Sequence, residues 1–186
     1  FFIDAMKPFV KSVCGIEPGE QYCDYANGRG IKTYSSLSEI ASRKFDIILS
    51  FYVFEHIRNP IDFLNKLKNN LNPGGMIIFE VPNVEDVLVS FYKMPELLDF
   101  YWQLAHYFYY SSKTLEFVFE KSGFKTAEVK HSQRYDISNH IHWLKDRKPG
   151  GMGKYTAVFS EDVNRVYKEN LVKKGISDTI TIFAKN

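Results

Sequence analysis

The feature that most constrains the fold is a strand, helix and strand pattern within residues 45–83. Residues 45–50, FDIILS, form a run of apolar β-formers like those of parallel strands buried on both faces. An Asn-Pro pair at 59–60 starts a helix, because Asn caps helices and Pro fits the first helical position. The Asn-Pro-Gly-Gly run at 72–75 ends that helix, and residues 76–81, MIIFEV, predict the next buried strand. The pattern therefore predicts two strands of a mostly parallel sheet, joined by a helix.

The rest of the chain continues the alternation of helices and strands. Helices are predicted at 1–11, 21–27, 112–122 and 161–174, and strands at 12–17, 31–34, 124–131 and 178–184. A basic, glycine-rich stretch within residues 136–160 predicts a surface loop. Such alternation is typical of an α/β domain whose mostly parallel sheet has helices on both faces. Ligands of these sheets bind at the carboxyl ends of the strands, so the site is expected just after residues 17, 34, 50 and 81.

Charge and cysteine content exclude several classes of partner. The 24 basic and 22 acidic side chains give a net charge of +2, too small for a strong field toward nucleic acid or an anionic membrane. Cys14 and Cys23 form no CxxC pair, and no Cys/His spacing resembles a zinc site. No apolar run approaches the ~20 residues that cross a bilayer. We therefore expect no nucleic acid, no membrane, no metal and a reducing, cytoplasmic location.

Three segments of the chain have sequences that match the motifs of one known family. The first is GIEPGEQY at 15–22, in which an acidic residue ends a strand. The second is the FDIILSFYVFEHIRNP and LNPGG sequence within 45–83, and the third is HYFYYSSKTLEFVFEKSGF at 106–124. Together they resemble class I S-adenosylmethionine-dependent methyltransferases, in particular the branch of ubiquinone-biosynthesis O-methyltransferases and sugar methyltransferases. The family's "hxxLEHV" turn, Asn-Pro, "LxPGG" and "HxxxFSxxTLxxLLxxAGF" motifs are matched in order, and the resemblance covers residues 1–131.

The resemblance implies a Rossmann-like methyltransferase fold with an antiparallel last strand. In that family a first strand and a GxGxG loop come before the position of Phe1, and this sequence shows neither. We therefore expect residues 1–186 to be one methyltransferase domain that is incomplete at its N-terminus. Residues 132–160 are expected to be an insertion before the last helix and strand.

The resemblance also implies S-adenosylmethionine as the cofactor. Glu17, at a strand end, is expected to hold the ribose hydroxyls, as acids do in nucleotide-binding α/β folds, and the alternative is an ordinary surface Glu. Aromatic rings after the strand at 45–50 attract a sulfonium, although Phe51 is equally a candidate for core packing. The expected cofactor-binding residues are Glu17, Pro18, Ser36, Leu37, Ser50, Phe51 and Tyr52.

Two histidines are candidate bases for removing a proton from the acceptor. His106 precedes an aromatic run, as the base does in related sugar C-methyltransferases, although that family's Glu and Tyr neighbours are Ala105 and Gln103 here. His56, in the Glu-His pair of the turn, is either a second candidate base or a structural residue. The expected substrate-binding residues are Tyr52, Asn83, His106 and Arg134.

A polar set between two predicted strands is either a wall of the acceptor pocket or an exposed insertion. Within it, a guanidinium suits a phosphate or a carboxylate. Two histidines spaced i,i+2 do not align as metal ligands on one helix face, so no metal site is expected there. The set comprises His131, Arg134, Asn139, His140 and His142.

These features predict methyl transfer from S-adenosylmethionine to a small-molecule acceptor, with a sugar or sugar nucleotide of surface-polysaccharide synthesis as the leading candidate. The enzyme's main task is to align the reactants for in-line displacement. Two other functions stay open: a non-catalytic methyltransferase-like partner subunit and a nicotinamide-dependent oxidoreductase. Nucleic-acid methylation is disfavoured, because the chain has no strongly basic face and no Asn-Pro-Pro-Tyr-like motif after residues 45–50. The oligomeric state is open, a homodimer included.

Overall fold

A computed structural model of the chain describes residues 2–186. The chain divides into two compact units, Phe1–Lys44 and Phe45–Asn186. The single incomplete domain with an insertion at 132–160 stays a prediction. Within residues 2–186 we find no helix whose length and apolar character would let it span a membrane.

The first unit contains two short parallel strands. Strand β1 (Gly15–Ile16) lies beside β2 (Thr33–Tyr34), and the pairing ends where the Glu17 N–H donates to the Tyr34 carbonyl at 2.9 Å. Both strands are shorter than predicted, and Pro18, which has no N–H, cannot extend β1. The helical elements are α1 (Phe2–Met6), a 3-10 turn (Lys7–Phe9), α2 (Glu20–Gly28) and a second 3-10 turn (Leu37–Ile40).

The second unit contains a four-stranded mixed sheet. Its strands are β3 (Phe45–Phe51), β4 (Leu71–Pro82), β5 (Lys125–Ser132) and β6 (Thr179–Lys185), in the spatial order β3-β4-β6-β5. Strands β3 and β4 are parallel, while β6 is antiparallel to both of its neighbours. The helices are α3 (Pro60–Lys68), α4 (Pro95–Tyr101), α5 (Ser112–Lys121), α6 (Ile137–Asp146) and α7 (Glu161–Lys173). The predicted α/β fold with an antiparallel last strand is confirmed.

Strand β4 is longer than predicted because it includes the Asn-Pro-Gly-Gly run. Phe45 pairs with Leu71, whereas Ile47 pairs with Met76, so the strand register shifts across this run. Gly74 has a φ of 74°, which a residue without a side chain adopts at little cost. Helix α3 ends earlier, at Lys68, so the prediction that this run ends the helix is wrong; the run lies inside β4.

Strand β3 is an edge strand of this sheet, and the prediction that it is buried on both faces is wrong. Ile47, Leu49 and Phe51 are 55%, 36% and 41% exposed. Side chains alternate along a strand, so these three share one face. An apolar run identifies a strand, but it does not tell how many of its faces other elements cover.

The core of the second unit is an aromatic cluster between the sheet and α5. Phe54, Phe79 and Phe119 are fully buried, and their ring centroids lie 5.1–5.7 Å apart in edge-on arrangements. Such geometry matches the ring quadrupoles and adds to the stabilisation from burial. Phe54 lies in the turn after β3, so the core directly anchors that turn.

Residues 137–146 were predicted to belong to an insertion, of which only the basic, glycine-rich stretch at 145–154 was expected to be a surface loop, but they form helix α6 with a buried face. Asp136 caps the helix by accepting from the Asn139 N–H at 2.8 Å, and Arg147 ends it with a φ of 56°. Apolar periodicity does not reveal this helix, because most of the side chains that it buries are polar. These buried residues are Ser138, Asn139, His140, His142 and Trp143.

Candidate active site

The turn after β3 has an unusual backbone conformation. Tyr52 has a φ of 53°, in the left-handed region that residues other than Gly seldom adopt. A 3-10 turn, Phe54–His56, follows directly. Strain of this kind persists only where the surrounding structure enforces it, and it is concentrated at functional sites. Here the Tyr52 N–H donates to the Glu80 carbonyl at 2.9 Å, and the Tyr52 hydroxyl lies 2.7 Å from Thr179 Oγ1, so both ends of the residue are held.

This turn brings a carboxylate and two imidazoles together. Each of Glu55, His56 and His106 offers one ligand atom, and these atoms all lie within 4.8 Å of one another. His56 Nδ1 lies 2.9 Å from the Ala105 carbonyl oxygen, and the N–H groups of residues 107 and 108 donate to the Glu55 carbonyl at 2.9 and 3.2 Å. The two imidazole centroids are 4.6 Å apart. The segment before α5 is thus held against the turn after β3. The three residues are called the Glu-His-His cluster below.

Burial changes the ionisation of the Glu-His-His cluster. Glu55 is 2% exposed, and burial raises the pKa of its carboxyl. Burial, together with the neighbouring His56, lowers the pKa of His106. Glu55 Oε2 and His106 Nδ1 are both buried without a hydrogen-bond partner. Buried polar atoms nearly always have partners, so these two atoms are candidates for binding a ligand.

An aromatic wall lies beside His106. The Tyr109 ring centroid is 5.2 Å from that of His106 and 4.4 Å from that of Trp102. The Tyr109 hydroxyl donates to the Tyr101 carbonyl at 2.8 Å and accepts from the Gln103 N–H at 2.7 Å. The predicted aromatic run is therefore ordered by its own hydrogen bonds.

Two of the predicted substrate-binding residues lie in contact. The Arg134 guanidinium carbon is 4.1 Å from the Tyr52 ring centroid, and Arg134 Nε is 3.9 Å from Asp178 Oδ1. The Tyr52 hydroxyl lies 2.7 Å from Thr179 Oγ1, which donates to Asp178 Oδ1 at 2.7 Å. The Arg134 side chain is 46% exposed, so one part of it is held in place while another part faces solvent.

Asn83 follows β4 as predicted, but the structure favours a structural role for it. Its side chain is fully buried, and its amide donates to the carbonyls of Gly175 and Ser177 at 3.2 and 2.8 Å. Its Oδ1 accepts from the Glu85 N–H at 3.0 Å. A substrate therefore has no access to this amide.

The expected cofactor residues of the first unit lie at its strand ends. Glu17 is half-buried, and its Oε1 accepts from the Gly19 N–H at 2.8 Å. A carboxylate has further acceptor sites, so the side chain fits ribose hydroxyls. Pro18 is exposed, whereas Ser36 and Leu37 are half-buried at the start of a 3-10 turn.

The remaining expected cofactor residues belong to the second unit. Ser50 and Phe51 end β3, with Ser50 half-buried and Phe51 more exposed, and Tyr52 follows them. Their positions at the carboxyl end of a parallel strand suit a ligand site. A shared cleft with the residues of the first unit stays a prediction.

Most of the predicted polar set has a structural role, and the exposed-insertion alternative is wrong for its helical part. His140 Nδ1 lies 2.8 Å from the Tyr167 hydroxyl, and burial lowers the pKa of His140 to about 4. His142 Nδ1 lies 2.6 Å from Asp146 Oδ2. His131 lies between two serine hydroxyls, and burial lowers its pKa as well. Among the set, Arg134 is the member in contact with Tyr52.

Sequence reasoning missed the place of Glu55 in the site. The Glu-His pair itself is visible in the sequence, but its partner His106 lies far along the chain. Periodicity reports local structure, so it cannot show that the two segments meet. Burial of an acidic side chain also has no signal in a single sequence.

Comparison with curated proteins yields partial matches. A tRNA U34 carboxymethyltransferase of Vibrio cholerae is 40% identical over 90 residues, which is 46% of this chain and 26% of that protein. The enzyme of the same name from Pseudoalteromonas translucida is 34% identical over 93 residues, which is 47% of this chain and 27% of that protein. The chain thus spans about a quarter of the length of these relatives.

These relatives contradict the prediction of a small-molecule acceptor and no nucleic-acid partner, because their names give tRNA as the substrate. The prediction used the net charge of the whole chain. A net charge near zero excludes a strong overall field, but it does not exclude local recognition of RNA by aromatic and basic side chains.

Solved structures have the same fold. An S-adenosylmethionine-dependent methyltransferase from Archaeoglobus fulgidus superposes with a TM-score of 0.64 at 20% identity, covering 100% of this chain and 80% of that one. One from Mesorhizobium loti superposes with a TM-score of 0.57 at 13% identity, covering 98% of this chain and 83% of that one. At these identities the likeness shows the fold alone.

The family follows from a match over most of the chain. Residues 2–129 match the family described as methyltransferase domain. This segment includes the strand-end Glu17 and the whole Glu-His-His cluster. The predicted cofactor, S-adenosylmethionine, is confirmed by this family match. The chain belongs to the class I S-adenosylmethionine-dependent methyltransferase family.

Proposed function

We propose that this chain is the catalytic domain of an enzyme that methylates a nucleobase of RNA, with tRNA as the leading substrate. The observation that carries the proposal is the Glu-His-His cluster at the carboxyl end of β3, where ligands of such sheets bind. Transfer needs an acceptor placed in line with the donor and a group that takes its proton. The cluster offers that group next to an ordered aromatic wall.

RNA is the acceptor that the relatives support, and the surface beside the cluster suits it. Trp102 and Tyr107 are 46% and 57% exposed, and nucleobases stack on such rings without regard to sequence. Arg134 has a half-exposed guanidinium, which suits a phosphate. A cytoplasmic location, predicted from the cysteine content, would give the enzyme access to tRNA.

The residues divide into a donor set and an acceptor set. When bound, S-adenosylmethionine supplies a methyl group on a sulfonium. Glu17 would accept hydrogen bonds from the ribose hydroxyls, Pro18 would cover the adenosine, and the Tyr52 ring would favour the positive charge of the sulfonium. The other donor-side residues are Ser36, Leu37, Ser50 and Phe51.

On the acceptor side, His106 is the candidate base and His56 the second candidate. Proton transfer to a positioned side chain contributes roughly 100-fold to 10,000-fold to a rate. Both histidines lie within the cluster, and the exposed ring of His56 is open to solvent. Arg134 and Tyr52 are proposed to bind the RNA next to the reacting base.

The test uses the full-length protein with methyl-labelled S-adenosylmethionine and separate pools of tRNA and ribosomal RNA. Label is expected in tRNA, and mass spectrometry of the nucleosides identifies which base has gained the methyl group that this donor supplies. His106→Ala is expected to lower the rate about 100-fold with unchanged cofactor binding. Glu17→Ala is expected to weaken cofactor binding. His131→Gln, outside the site, is the control for loss of an imidazole.

Three outcomes separate the parts of the proposal. Absence of cofactor binding in calorimetry contradicts an active donor site and favours the non-catalytic subunit. Cofactor binding without label in either RNA pool contradicts the acceptor class. Transfer that is undiminished in both His106→Ala and His56→Ala contradicts the role of the cluster.

A further inference from the structure

The Glu-His-His cluster has the composition of a metal site, although its residues are not spaced like a known metal motif. Two imidazoles and one carboxylate present ligand atoms within 4.8 Å of one another. Glu55 and His56 are adjacent in the 3-10 turn after β3, while His106 comes from the segment before α5. Backbone hydrogen bonds at Glu55 and Ala105 hold these two segments together.

Two of the three side chains lack a partner for a buried polar atom. Glu55 is 2% exposed, and its Oε2 has no hydrogen bond. His106 Nδ1 is buried and also has none. Leaving such atoms unpaired costs free energy, and a bound cation would compensate both at once. This lack of partners is independent of the composition of the cluster.

The third side chain is oriented as metal-binding histidines commonly are. His56 Nδ1 lies 2.9 Å from the Ala105 carbonyl oxygen, which can only accept, so Nδ1 carries the proton. The lone pair is then on Nε2. A backbone carbonyl that fixes the tautomer in this way is the usual outer partner of a zinc-binding imidazole. The His56 ring is exposed, which leaves an entry path for an ion.

We propose that Glu55, His56 and His106 bind one divalent transition-metal ion, of which Zn²⁺ and Co²⁺ are the probes. A set of two histidines and one glutamate with an open fourth position is typical of zinc sites that bind a further ligand. Magnesium and calcium prefer all-oxygen sites, so the two imidazoles select against them. Zinc bonds of about 2.0–2.1 Å require ligand atoms roughly 3.4 Å apart, so binding draws the three side chains inward.

The inference goes beyond the proposed function and is tested by binding alone. The ion would occupy both candidate bases, so transfer assays use protein treated with a chelator. Metal-free full-length protein is titrated with CoCl₂ and followed by visible absorption, in which low-symmetry Co²⁺ gives intense bands, and with ZnCl₂ by calorimetry. One equivalent of either ion is expected to bind, whereas MgCl₂ gives no saturable heat.

Variants separate a built site from surface binding. Loss of an outer partner of a metal ligand already costs about 10-fold to 100-fold in affinity, so Glu55→Gln and His56→Ala, which remove ligands, are each expected to weaken binding by about 100-fold or more and to lose the cobalt spectrum. His131→Gln keeps both. Since Glu55 is buried and its variant can fail to fold, the exposed His56 provides the second variant. Absence of saturable binding by the wild-type protein, or equal binding by His56→Ala, would overturn the proposal.

Discussion

The Arg134 guanidinium carbon lies 4.1 Å from the centroid of the Tyr52 ring, although the two residues follow strands at opposite edges of the sheet. Tyr52 comes directly after β3, and Arg134 comes two residues after β5. Between them, the Tyr52 hydroxyl reaches Thr179 at the start of β6. The contact therefore connects the two outer strands across the end of the sheet where the candidate site lies.

Replacing Tyr52 with Phe tests the hydrogen bond within this contact. The hydroxyl lies 2.7 Å from Thr179 Oγ1, and Thr179 is fully buried. Tyr52→Phe is expected to lower the free energy of unfolding by about 1 kcal/mol, measured by urea denaturation. Tyr107→Phe, at an exposed ring, is the control and is expected to have no effect. Equal stabilities of the two variants would contradict the importance of the bond.

Asp178 is expected to be among the most sensitive positions for stability. Its carboxylate is buried and accepts from Gln133 Nε2 and from the N–H groups of residues 134 and 135, each at 2.9 Å, and from Thr179 Oγ1 at 2.7 Å. In Asp178→Asn an NH2 group replaces one of the accepting oxygens and faces these N–H and O–H donors. The free energy of unfolding is therefore expected to fall by ~3 kcal/mol. Thermal denaturation measures this loss of stability. Asp162→Asn, at a side chain that is 87% exposed, is the control.

Asp86 is expected to make stability fall as the pH rises from about 4 to 7. Burial raises the pKa of this carboxyl to about 7 from its ordinary value of 3.8, with a smaller contribution from Asp178. In the unfolded chain the carboxyl ionises near its ordinary value, while in the folded chain it stays protonated, so stability is lost between the two values. The loss has an upper bound on the order of 4 kcal/mol.

The comparison of wild type with Asp86→Asn isolates this contribution. The difference in unfolding free energy between the two proteins should change across pH 4 to 7 and be constant above that range. The burial of His140 acts in the opposite direction in the acidic range, but it is common to both proteins and cancels in the difference. A difference that does not vary with pH would refute the assignment.

Gly151 is expected to tolerate no side chain. A Cβ built there would overlap the Cβ of His142 and lie 3.0 Å from the Asn139 Cα, both on α6. Gly151→Ala is therefore expected to lower the free energy of unfolding by about 1–3 kcal/mol, as overpacking of a protein interior does. Met152→Ala, at a neighbouring side chain that is 61% exposed, is the control. Chemical denaturation of both variants gives the comparison.

Arg134 is expected to contribute one phosphate contact if RNA is the acceptor. In Arg134→Gln the affinity for RNA should depend less steeply on salt. The magnitude of the slope of log affinity against log salt concentration is expected to fall by roughly 0.7, the value for one phosphate contact with a single strand. RNA binding is measured by fluorescence anisotropy at several salt concentrations. Lys145→Gln, in α6 and beside the Tyr155 ring, tests whether any lost positive charge has the same effect, and an equal slope change would contradict a specific role.

The sequence predicted those elements whose limits carry strong local signals. Pro60 begins α3 as predicted, although the Asn59 side chain makes no capping hydrogen bond, and Ser111 caps α5 by accepting from the Thr114 N–H at 3.3 Å. Gly123 follows α5 with a φ of 75°, as expected of a helix end. These signals act over a few residues, so a single sequence contains them in full.

The errors arose where long-range packing decides the outcome. Helix α6 buries polar side chains that look solvent-exposed in a pattern, and β3 exposes apolar side chains that look buried. The candidate bases His56 and His106 were identified from a motif, but the convergence of Glu55 with them needed the fold. The acceptor class was mispredicted because net charge averages over the whole surface.

The Asp178 carboxylate has a kinetic consequence for the backbone around it. The amides of residues 134 and 135 lie outside regular strands, where hydrogen exchange with solvent is ordinarily fast. Bonded to a buried carboxylate, these amide protons should exchange only when this end of the sheet opens. Their protection would then report, residue by residue, how often the ends of β5 and β6 separate in the native protein.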